Sequence, residues 1–310
     1  MKVVSDHQGF QQQYSRCVAT IGKFDGVHLG HQAILKQLRA WAQELGLPAM
    51  VILIEPHPEE FFAADSQQCP ARLTILEEKL RLIEAMGIDY VYILNFDHAL
   101  SSQSASVYIE NILVDGLGIA ALIVGSDFRF GNRRQGDFKL LQDYGRQYDF
   151  VVQETPSCEV DGRRVSSTLV REQLESGDFE AVNRLLGRKF SISGRVIKGE
   201  NKGKELGFPT CNIKLQRRRI PLHGVFACVV ILDDCDIPAA VNIGFRPTVT
   251  EAGEALLEAH LLDFDADLYD QQLEVVFKVK IREEQKFDGI DALKAQIATD
   301  VQAVRAYFSQ

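Results

Sequence analysis

The sequence contains no long apolar segment. A membrane-spanning helix requires about 18 to 20 consecutive apolar residues, and all apolar stretches of this sequence are much shorter. The opening segment, MKVVSDHQGFQQQYSR, also lacks the apolar core of a secretory signal peptide. We therefore expect a protein that does not span a membrane and is not exported.

Cysteine patterns that hold metals or build disulfide frameworks are missing as well. The six cysteines form no C-x-x-C pair and no ligand cluster with histidine. Most of them lie within apolar segments, which is typical of buried free thiols. The pattern favours a protein of the reducing cytoplasm.

An excess of positive charge is absent too. Acidic residues outnumber basic ones, 43 to 34, and the formal net charge is −9. General binding to nucleic acids or to anionic membrane surfaces depends on a positive field. The short basic run Arg217–Arg219 is more typical of a solvated loop. We therefore expect no nucleic-acid or membrane partner.

The 310 residues are enough for two domains, and the first half has the pattern of an α/β domain. Short apolar strands alternate with amphipathic helices, which predicts a doubly wound, Rossmann-like parallel sheet. The predicted strands cover residues 17–21, 49–54, 90–94 and 119–124. The predicted helices cover one segment ending at Gly46 and residues 75–86, 104–117, 167–176 and 178–187.

From about residue 190 the pattern changes to short β-rich runs separated by glycine, proline, asparagine and aspartate. These runs predict a small closed antiparallel β-barrel, followed by one amphipathic helix. The runs cover residues 190–197, 224–232, 237–243, 255–263 and 273–281, and the helix carries Ile290, Leu293, Ile297, Val301 and Val304. We therefore predict an α/β domain over residues 1–187 and a β-barrel domain over residues 188–310.

The most informative local motif is GKFDGVHLGH at residues 22–31, between the first predicted strand and the first helix. Such a turn leaves unpaired backbone N–H groups and the positive end of the helix directed at one place, which suits a phosphate. His28 and His31 are spaced to share one helix face. For an isolated His-x-Gly-His, an ordinary surface pair is an equally good interpretation. Its position at the first βα turn of a parallel sheet favours a ligand site.

This motif resembles the H-x-G-H signature of the nucleotidyltransferase superfamily. Three further segments, EPHP at 55–58, GSDFRFG at 125–131 and RVSSTLVR at 164–171, occur in the order found in the bifunctional prokaryotic riboflavin kinase/FAD synthetase family. The chain resembles that family from about residue 14 to residue 305. An isolated Ser-Ser-Thr would be a plain helix cap, and one of Phe128 and Phe130 is expected to be ordinary core.

The resemblance implies adenylyl transfer in the first domain: the FMN phosphate attacks the α-phosphorus of ATP, and pyrophosphate leaves. No protein nucleophile is needed, so catalysis consists of positioning and charge neutralisation, aided by Mg²⁺. The implied catalytic residues are His28, His31 and Arg171. The implied ATP- and phosphate-binding residues are Gly22, Phe24, Asp25, Gly30, Gly125, Asp127, Arg129, Ser167 and Thr168, and the implied flavin-binding residues are His57, Phe62 and Phe128.

In the second half, GENKGKELGFPTCN at 199–212 resembles the nucleotide-binding segment of riboflavin kinases, and it is not a Walker A motif. The resemblance makes Thr210 and Asn212 the ligands of the Mg²⁺ that accompanies ATP, consistent with the preference of Mg²⁺ for a few oxygen ligands. The other implied ATP-binding residues are Gly199, Lys204, Gly207 and Pro209. The segment at 281–287 resembles the part that holds the flavin ring, through Arg282, Glu284 and Phe287.

Glu258 is the implied general base that deprotonates the riboflavin 5′-hydroxyl. Strand alternation places it on one sheet face with Leu256 and His260. A carboxylate there either faces solvent or turns into the mouth of the barrel, and spacing alone favours solvent. The family resemblance favours the catalytic alternative.

A few positions depart from the family pattern. Lys23 stands where the family commonly has asparagine, Cys211 where it has alanine and Phe226 where it has tyrosine. Phe245 replaces a small polar residue, and Asp270 replaces a glycine. The last two changes bear on nucleotide affinity and loop geometry, and not on the reaction.

Two other functions fit parts of the sequence. One is a nucleotidyltransferase for another acceptor, such as phosphopantetheine, which leaves Thr210, Asn212 and Glu258 unexplained. The other is a non-catalytic flavin-binding module, which has little need for His28, His31 and Arg171 together. The expected partners are ATP, riboflavin and FMN, with FAD as product, in a chain that is monomeric or weakly self-associating.

Overall fold

The structure is a computed structural model that describes residues 1–6, 10, 15–64, 69–125, 127–199, 202–233, 235–245 and 255–309. The chain forms two compact units. The first contains Met1–Cys69 and Leu76–Ser166, and the second contains Pro70–Ile75 and Ser167–Gln310. This division differs from the predicted domain boundary between residues 187 and 188. That boundary stays a prediction.

The first unit is built on a six-stranded parallel sheet, as predicted for the doubly wound half. Its strands are β1 (Lys2–Val4), β2 (Cys17–Gly22), β3 (Ala49–Glu55), β4 (Tyr90–Asn95), β5 (Ile119–Gly125) and β6 (Val151–Thr155). Their order in the sheet is β1-β4-β3-β2-β5-β6. A short antiparallel pair, β7 (Glu159–Val160) and β8 (Arg163–Arg164), follows β6. The sequence analysis missed β1 and β6 because both are largely exposed edge strands without an apolar run.

Helices cover both faces of this sheet, and alternate residues of each central strand enter different cores. Ala19 and Met50 belong to one core cluster, whereas Val18 and Val51 belong to the other. This double burial explains why the central strands are continuously apolar. The described helices of this unit are Leu29–Leu45, Pro58–Phe62, Leu76–Ala85, His98–Ser102, Ala105–Tyr108, Ile109–Val114 (a π-helix), Asn132–Arg134 (a 3₁₀-helix) and Phe138–Tyr148.

The order of the strands contains a switch point between β2 and β5. From β2 the chain moves outward through β3 and β4 on one side, and later through β5 and β6 on the other. Ligands of open α/β sheets bind beyond the carboxyl ends of the strands at such a point. Gly22 and Gly125 end the two strands that flank it. The topology therefore places two of the predicted motifs at the preferred ligand position.

The second unit is a closed antiparallel barrel, as predicted, but it has six strands rather than five, because the short strand Cys211–Lys214 was not predicted. The strands are β9 (Ser191–Ile197), β10 (Cys211–Lys214), β11 (Gly224–Leu232), β12 (Cys235–Phe245), β13 (Ala255–Leu261) and β14 (Gln272–Arg282). Their order around the barrel is β10-β13-β12-β11-β14-β9. The unit also contains the helices Ser167–Ser176, Phe179–Leu186, Lys202–Glu205 and Ile290–Phe308.

The C-terminal helix, Ile290–Phe308, lies against the outer wall of the barrel. Val301 and Val304 are buried in a cluster with Ala227 and Leu262, and burial of each valine stabilises the docked helix by about 1.5 kcal/mol or more. Ile290 begins the helix but is 69% exposed, so the predicted apolar stripe is in contact only from its second turn onward. Among the described helices, none is long and apolar enough to cross a bilayer.

Candidate functional site

The turn after β2 is held by buried residues in unusual backbone conformations. Phe24 and Val27 have φ of 48° and 38°, and Gly26 has φ of 80°. Positive φ is costly for residues with a side chain, so burial of both Phe24 and Val27 in the core must compensate for it. The buried Asp25 lies between them. The turn is therefore a rigid connection to the helix Leu29–Leu45.

His28 caps that helix. Its Nδ1 accepts a hydrogen bond from the backbone N–H of His31 at 3.3 Å. A Cβ at Gly30 would lie 3.2 Å from the His28 ring, so glycine keeps the ring in place. The two imidazoles stack, with ring centroids 3.7 Å apart. The two histidines therefore share one face of the helix, as predicted. They do so as a stacked pair in which His28 is also the helix cap.

The second imidazole of this pair is kept neutral. Burial lowers the pKa of His31 well below its usual value, and electrostatic interactions with His28, Lys79 and Lys23 lower it further. Its Nδ1 is buried and has no hydrogen-bond partner among the described residues. Lys23 itself forms an ion pair with Glu59 at 2.5 Å, so the unusual lysine at this position is partly neutralised.

A buried charge network lies at the end of β3. Lys79, on the helix Leu76–Ala85, has no exposed side-chain surface, and its Nζ lies 2.7 Å from Oε1 of Glu55. The same Nζ lies 3.2 Å from Nε2 of the buried His57. Glu55 and His57 are 3.8 Å apart, too far for a direct hydrogen bond. Lys79 therefore joins the two.

Next to this network is a small cluster of aromatic rings. Phe61 contacts Phe62, Phe96 and His98 with ring-centroid distances of 5.1, 5.4 and 4.8 Å. Phe62 is 64% exposed, and it follows β3 just as Phe96 follows β4. An exposed aromatic at the carboxyl edge of a parallel sheet suits a planar ligand.

The loop after β5 contains the other predicted residues of this unit. Asp127 is exposed and pairs with Arg164 at 3.0 Å, and Arg129 donates to the carbonyl of Phe128 at 2.8 Å. Phe128 is half-buried and stacks on the buried Phe130 at 5.5 Å. As expected, one of these two phenylalanines is core, and it is Phe130.

Ser167, Thr168 and Arg171 lie on the helix Ser167–Ser176 and belong to the second compact unit. Within that unit, Nε of Arg171 donates to the carbonyl of Ala71 at 2.6 Å. Arg217 donates to the neighbouring carbonyl of Leu73 at 3.0 Å. The structure thus gives Arg171 a backbone partner in the segment Pro70–Ile75. Its predicted role toward phosphate stays a prediction.

The predicted kinase residues converge in the second unit. Six of the ten line a cavity of about 620 Å³ between the barrel wall and the C-terminal helix. The predicted residues on its lining are Thr210, Asn212, Glu258, Arg282, Glu284 and Phe287. A cavity of this size accommodates a small-molecule ligand.

Strand register explains why three polar side chains meet there. Glu258 on β13 pairs in register with Asn212 on β10 and with Asn242 on β12. Directly opposed residues on neighbouring strands project to the same face. Their neighbours Leu257 and Ala259 are fully buried on the opposite face. Glu258 therefore faces neither open solvent nor the barrel interior, but the cavity beneath the C-terminal helix.

Asn212 has a buried oxygen that no described group satisfies. Its Oδ1 is buried and lacks a hydrogen-bond partner among the described residues. A Cβ at Gly199 would approach Nδ2 of Asn212 to 1.9 Å, so glycine is required to leave room for this side chain. Buried acceptors are nearly always satisfied in native proteins, so an orphaned one indicates a missing ligand.

The turn that carries Thr210 is fastened from β13. Nδ1 of His260 lies 2.8 Å from the carbonyl of Pro209, and its ring packs edge-on against Phe208 at 5.7 Å. Gly207 has φ of 87°, a conformation that favours glycine. Lys204 lies in the one-turn helix Lys202–Glu205, and its side chain is outside the described part of the chain.

Arg282 is fixed by Asp300 on the C-terminal helix. Nε and Nη2 of Arg282 donate to Oδ2 of Asp300 at 3.0 and 2.7 Å, and Gln296 also donates to this buried carboxylate. The guanidinium lies 5.8 Å from the ring centroid of Phe287. A Cβ at Gly244 would lie 2.3 Å from Oε1 of Glu284, so this carboxylate lies against the wall of β12.

The departures from the family pattern have local explanations. Burial raises the pKa of Cys211 to about 11, so its thiol stays protonated and is a poor metal ligand near neutral pH. Phe226 is buried in the core, where its ring packs edge-to-face against Phe277 with ring centroids 5.4 Å apart. Asp270, where glycine is common, adopts a φ of 63°, which aspartate tolerates better than most residues. The side chain of Phe245 is outside the described part of the chain.

Sequence reasoning missed Lys79 and Asp300. Both left a signal, because each lies on the apolar stripe of its predicted helix. Lys79 lies three residues after Leu76 and four before Ile83, and Asp300 lies three residues after Ile297 and four before Val304. A charge at an apolar position of an amphipathic helix indicates a buried partner.

Comparisons with protein families divide the chain in two. A family model described as FAD synthetase matches residues 10–169, and one described as Riboflavin kinase matches residues 186–308. A solved structure titled "Crystal Structure of Macrolide-efflux Protein from Streptococcus pneumoniae" is similar with a TM-score of 0.80, 24% identity and 98% of each chain covered. At that identity the likeness shows a shared fold alone.

Curated relatives are similar along nearly the whole chain. The bifunctional riboflavin kinase/FMN adenylyltransferase of Pseudomonas fluorescens is 49% identical over 99% of this chain and 97% of its own length. The protein of the same name from Escherichia coli (strain K12) is 45% identical, with 97% and 96% covered. That of Haemophilus influenzae is 44% identical, with 94% of each covered.

Proposed function

This chain belongs to the bifunctional riboflavin kinase/FMN adenylyltransferase family, and we propose that it carries out its two reactions at the two groups of residues described above. It phosphorylates riboflavin to FMN with ATP, and it adenylylates FMN to FAD with release of pyrophosphate. The kinase belongs to the C-terminal half and the adenylyltransferase to the N-terminal half. The assignment of individual residues to these reactions is the proposal.

In the kinase reaction, Glu258 is the general base. It accepts the proton of the riboflavin 5′-hydroxyl as the oxygen attacks the γ-phosphorus of ATP, and ADP leaves. A general base must lie within hydrogen-bond reach of the proton that it accepts. The position of Glu258 on the lining of the cavity supports this assignment. Arg282, Glu284 and Phe287 line the same cavity and are assigned to the flavin ring.

The chemistry of the cavity fits Mg²⁺. Thr210 and Asn212 would hold it, because the unsatisfied Oδ1 of Asn212 and the nearby hydroxyl of Thr210 are oxygen ligands of the kind that it prefers. Among the described residues there is no cluster of three or more His, Cys, Asp or Glu side chains, as an all-protein metal cage would need. When bound with ATP, Mg²⁺ neutralises charge on the transferred phosphoryl group.

In the adenylyltransferase reaction, a phosphate oxygen of FMN attacks the α-phosphorus of ATP and the bond to pyrophosphate breaks. His28 and His31 are assigned to the leaving pyrophosphate, as donors at the positive end of the helix Leu29–Leu45. Arg171, Ser167 and Thr168 are assigned to the triphosphate. The exposed Phe62 and half-buried Phe128 are assigned to the flavin ring.

The observation that carries the kinase assignment is the unsatisfied Oδ1 of Asn212, on the strand paired in register with Glu258. The test is the Mg²⁺ dependence of FMN formation in Asn212→Ala, followed by chromatography of flavins. We expect a higher Mg²⁺ concentration for half-maximal rate and a lower maximal rate. FAD formation from supplied FMN is the internal control. An unchanged Mg²⁺ dependence would contradict the assignment.

The conditions under which the chain works belong to the same proposal. All six cysteines lie in the described part of the chain and are free thiols, which supports a reducing cytoplasm. The net charge of −9 supports the absence of nucleic-acid and membrane partners. We propose a monomer or weakly self-associating chain, and size-exclusion chromatography with light scattering tests this.

A further inference from the structure

Lys79 is a fully buried lysine beside a predicted ligand-binding histidine. Lysine is almost never fully buried unless it is paired. Here Nζ lies 2.7 Å from Oε1 of Glu55, whose side chain is itself only 12% exposed. Removing two charges from water carries a large desolvation penalty, and an apolar pair often stabilises a protein equally well. Stability alone therefore does not explain why Lys79 and Glu55 are buried together.

The hydrogen-bond chemistry of Lys79 constrains His57. A lysine ammonium is a donor only, so at 3.2 Å the Nε2 of His57 must accept from it. An imidazole that accepts at Nε2 carries its proton at Nδ1. His57 precedes the helix Pro58–Phe62, yet its side chain makes no capping hydrogen bond there. The described contact of the ring is therefore with Lys79, whereas Nδ1 of His28 is used as a cap acceptor.

The position of His57 relates it to the paired histidines. It follows β3 by two residues, and β3 is the immediate neighbour of β2, which leads into the paired histidines. The ion pair between Lys23 and Glu59 joins the segments that follow these two strands. The charge of Lys79 also reaches His31, whose pKa it helps to lower. A phosphate oxygen is an acceptor, so an N–H is the useful form of His57 at this edge.

We infer that Lys79 is a positioning residue for adenylyl transfer: held by Glu55, its ammonium fixes His57 as the neutral Nδ1–H tautomer, so that the ring offers a donor to a phosphate oxygen of the bound substrates. The inference rests on the adenylyltransferase function proposed above. It adds a role for two residues, Lys79 and Glu55, that the predicted site did not include. Lys79 acts through His57 and does not itself touch the reacting atoms.

The direct test is the tautomer of His57. The protein is labelled with ¹⁵N-histidine and its ring nitrogens are observed by long-range ¹H–¹⁵N correlation at about pH 8, where histidine is neutral. The His57 signals are assigned by their loss in His57→Asn. We expect the Nδ1–H form in the wild-type protein. In the double variant Lys79→Met/Glu55→Gln, which leaves no buried lone charge, we expect the Nε2–H form.

The kinetic test uses the second activity of the chain as its control. In the double variant we expect kcat for FAD formation to fall by about 10- to 100-fold, the order of loss that misplaced catalytic geometry produces. FMN formation should be unchanged, which also shows that the chain is folded. Lys79→Arg, which keeps a buried cation and donor, should recover part of the rate. Lys139→Met, which removes an exposed ion pair with Asp143 in the same unit, should change neither activity.

The two possible failures are distinguishable. If wild-type protein forms FMN but no FAD, the adenylyltransferase assignment itself fails. If wild-type protein forms FAD but His57 is protonated at Nε2, or if the double variant keeps the Nδ1–H form, the inference about Lys79 is overturned. An unchanged rate of FAD formation in a variant with the altered tautomer would also overturn it.

Discussion

The two halves of this chain assemble their sites by different means. In the barrel, Asn212, Glu258 and Asn242 lie on three adjacent strands in direct register, so backbone pairing alone fixes their side chains as neighbours. In the parallel sheet, the site residues follow the ends of separate strands, and helix capping, ring stacking and buried ion pairs orient them.

The charges differ as well. The first site collects cations and imidazole donors, namely Lys23, Lys79, His28 and His31. The cavity of the second unit is lined by the carboxylates Glu258, Glu284 and Asp300, with Arg282 bonded to the last. Charge stabilisation of a leaving group requires donors, whereas proton abstraction from a hydroxyl requires a base. The comparison teaches that each half is equipped for one of the two reactions, and variants in one half should leave the other reaction intact.

The largest effect should come from Glu258→Gln. This change keeps the shape of the side chain but removes the base, so we expect FMN formation to fall by about 10²- to 10⁴-fold. FAD formation from supplied FMN should be unchanged. Both rates are measured by chromatography of flavins in the same preparation. If both fell together in a folded protein, the separation of the two sites would be wrong.

The reciprocal change is His31→Ala. Loss of one preorganised donor typically costs about 10²- to 10³-fold in kcat, and we expect that loss in FAD formation. Phosphorylation of riboflavin should continue at the wild-type rate, with FMN accumulating as the end product. Continued FAD formation at the wild-type rate would remove His31 from the proposed mechanism.

A smaller effect is expected from Asp300→Asn. The change weakens the bidentate hold on Arg282, and we expect the KM for riboflavin to rise by about tenfold with little change in kcat, as loss of uniform binding predicts. Asp263→Asn is the matched control, because Asp263 holds Arg305 of the same helix in an exposed pair outside the cavity. Equal effects of both changes would indicate that helix docking, not flavin contact, is responsible.

The smallest effect should come from Lys23→Asn. Burial is the main cause of the lowered pKa of His31, and Lys23 is the last of the three neighbouring groups, after His28 and Lys79, that lower it further. Removing this cation should therefore raise the pKa of His31, and only slightly, because solvent screens partly exposed charges. Titration of the His31 ring by NMR measures the shift. A downward shift, or none, would contradict the electrostatic account of this site.

The lowered pKa of His31 predicts that the stability of the first unit toward unfolding depends on pH. Between its folded pKa and its unfolded value of 6.5, His31 binds more protons when the chain is unfolded. The first unit should therefore lose stability as the pH falls below 6.5, and His31→Asn should reduce this loss. The urea midpoint of the transition that abolishes FAD formation, measured as a function of pH, tests it. An identical slope in both proteins would contradict the prediction.

Much of this architecture was predictable because it depends on local patterns. Continuous apolar strands predicted a sheet covered on both faces, and the structure confirms this through two core clusters. Gly46 was predicted to end the first helix, and it does so with φ of 64°. Asn212 and Glu258 were identified through the family resemblance of their segments, whereas strand alternation alone favoured a solvent-facing Glu258.

The sequence by itself determined the two fold types, the order of the strands along the chain and the residues that carry the motifs, since periodicity and turn residues are properties of neighbouring positions. Only the tertiary structure decided that Lys79 meets Glu55 and His57, that Asp300 fixes Arg282, and that the C-terminal helix covers Glu258. The reason is physical: a buried charge is stable only where a distant segment supplies its partner, and that partner is chosen by packing in three dimensions.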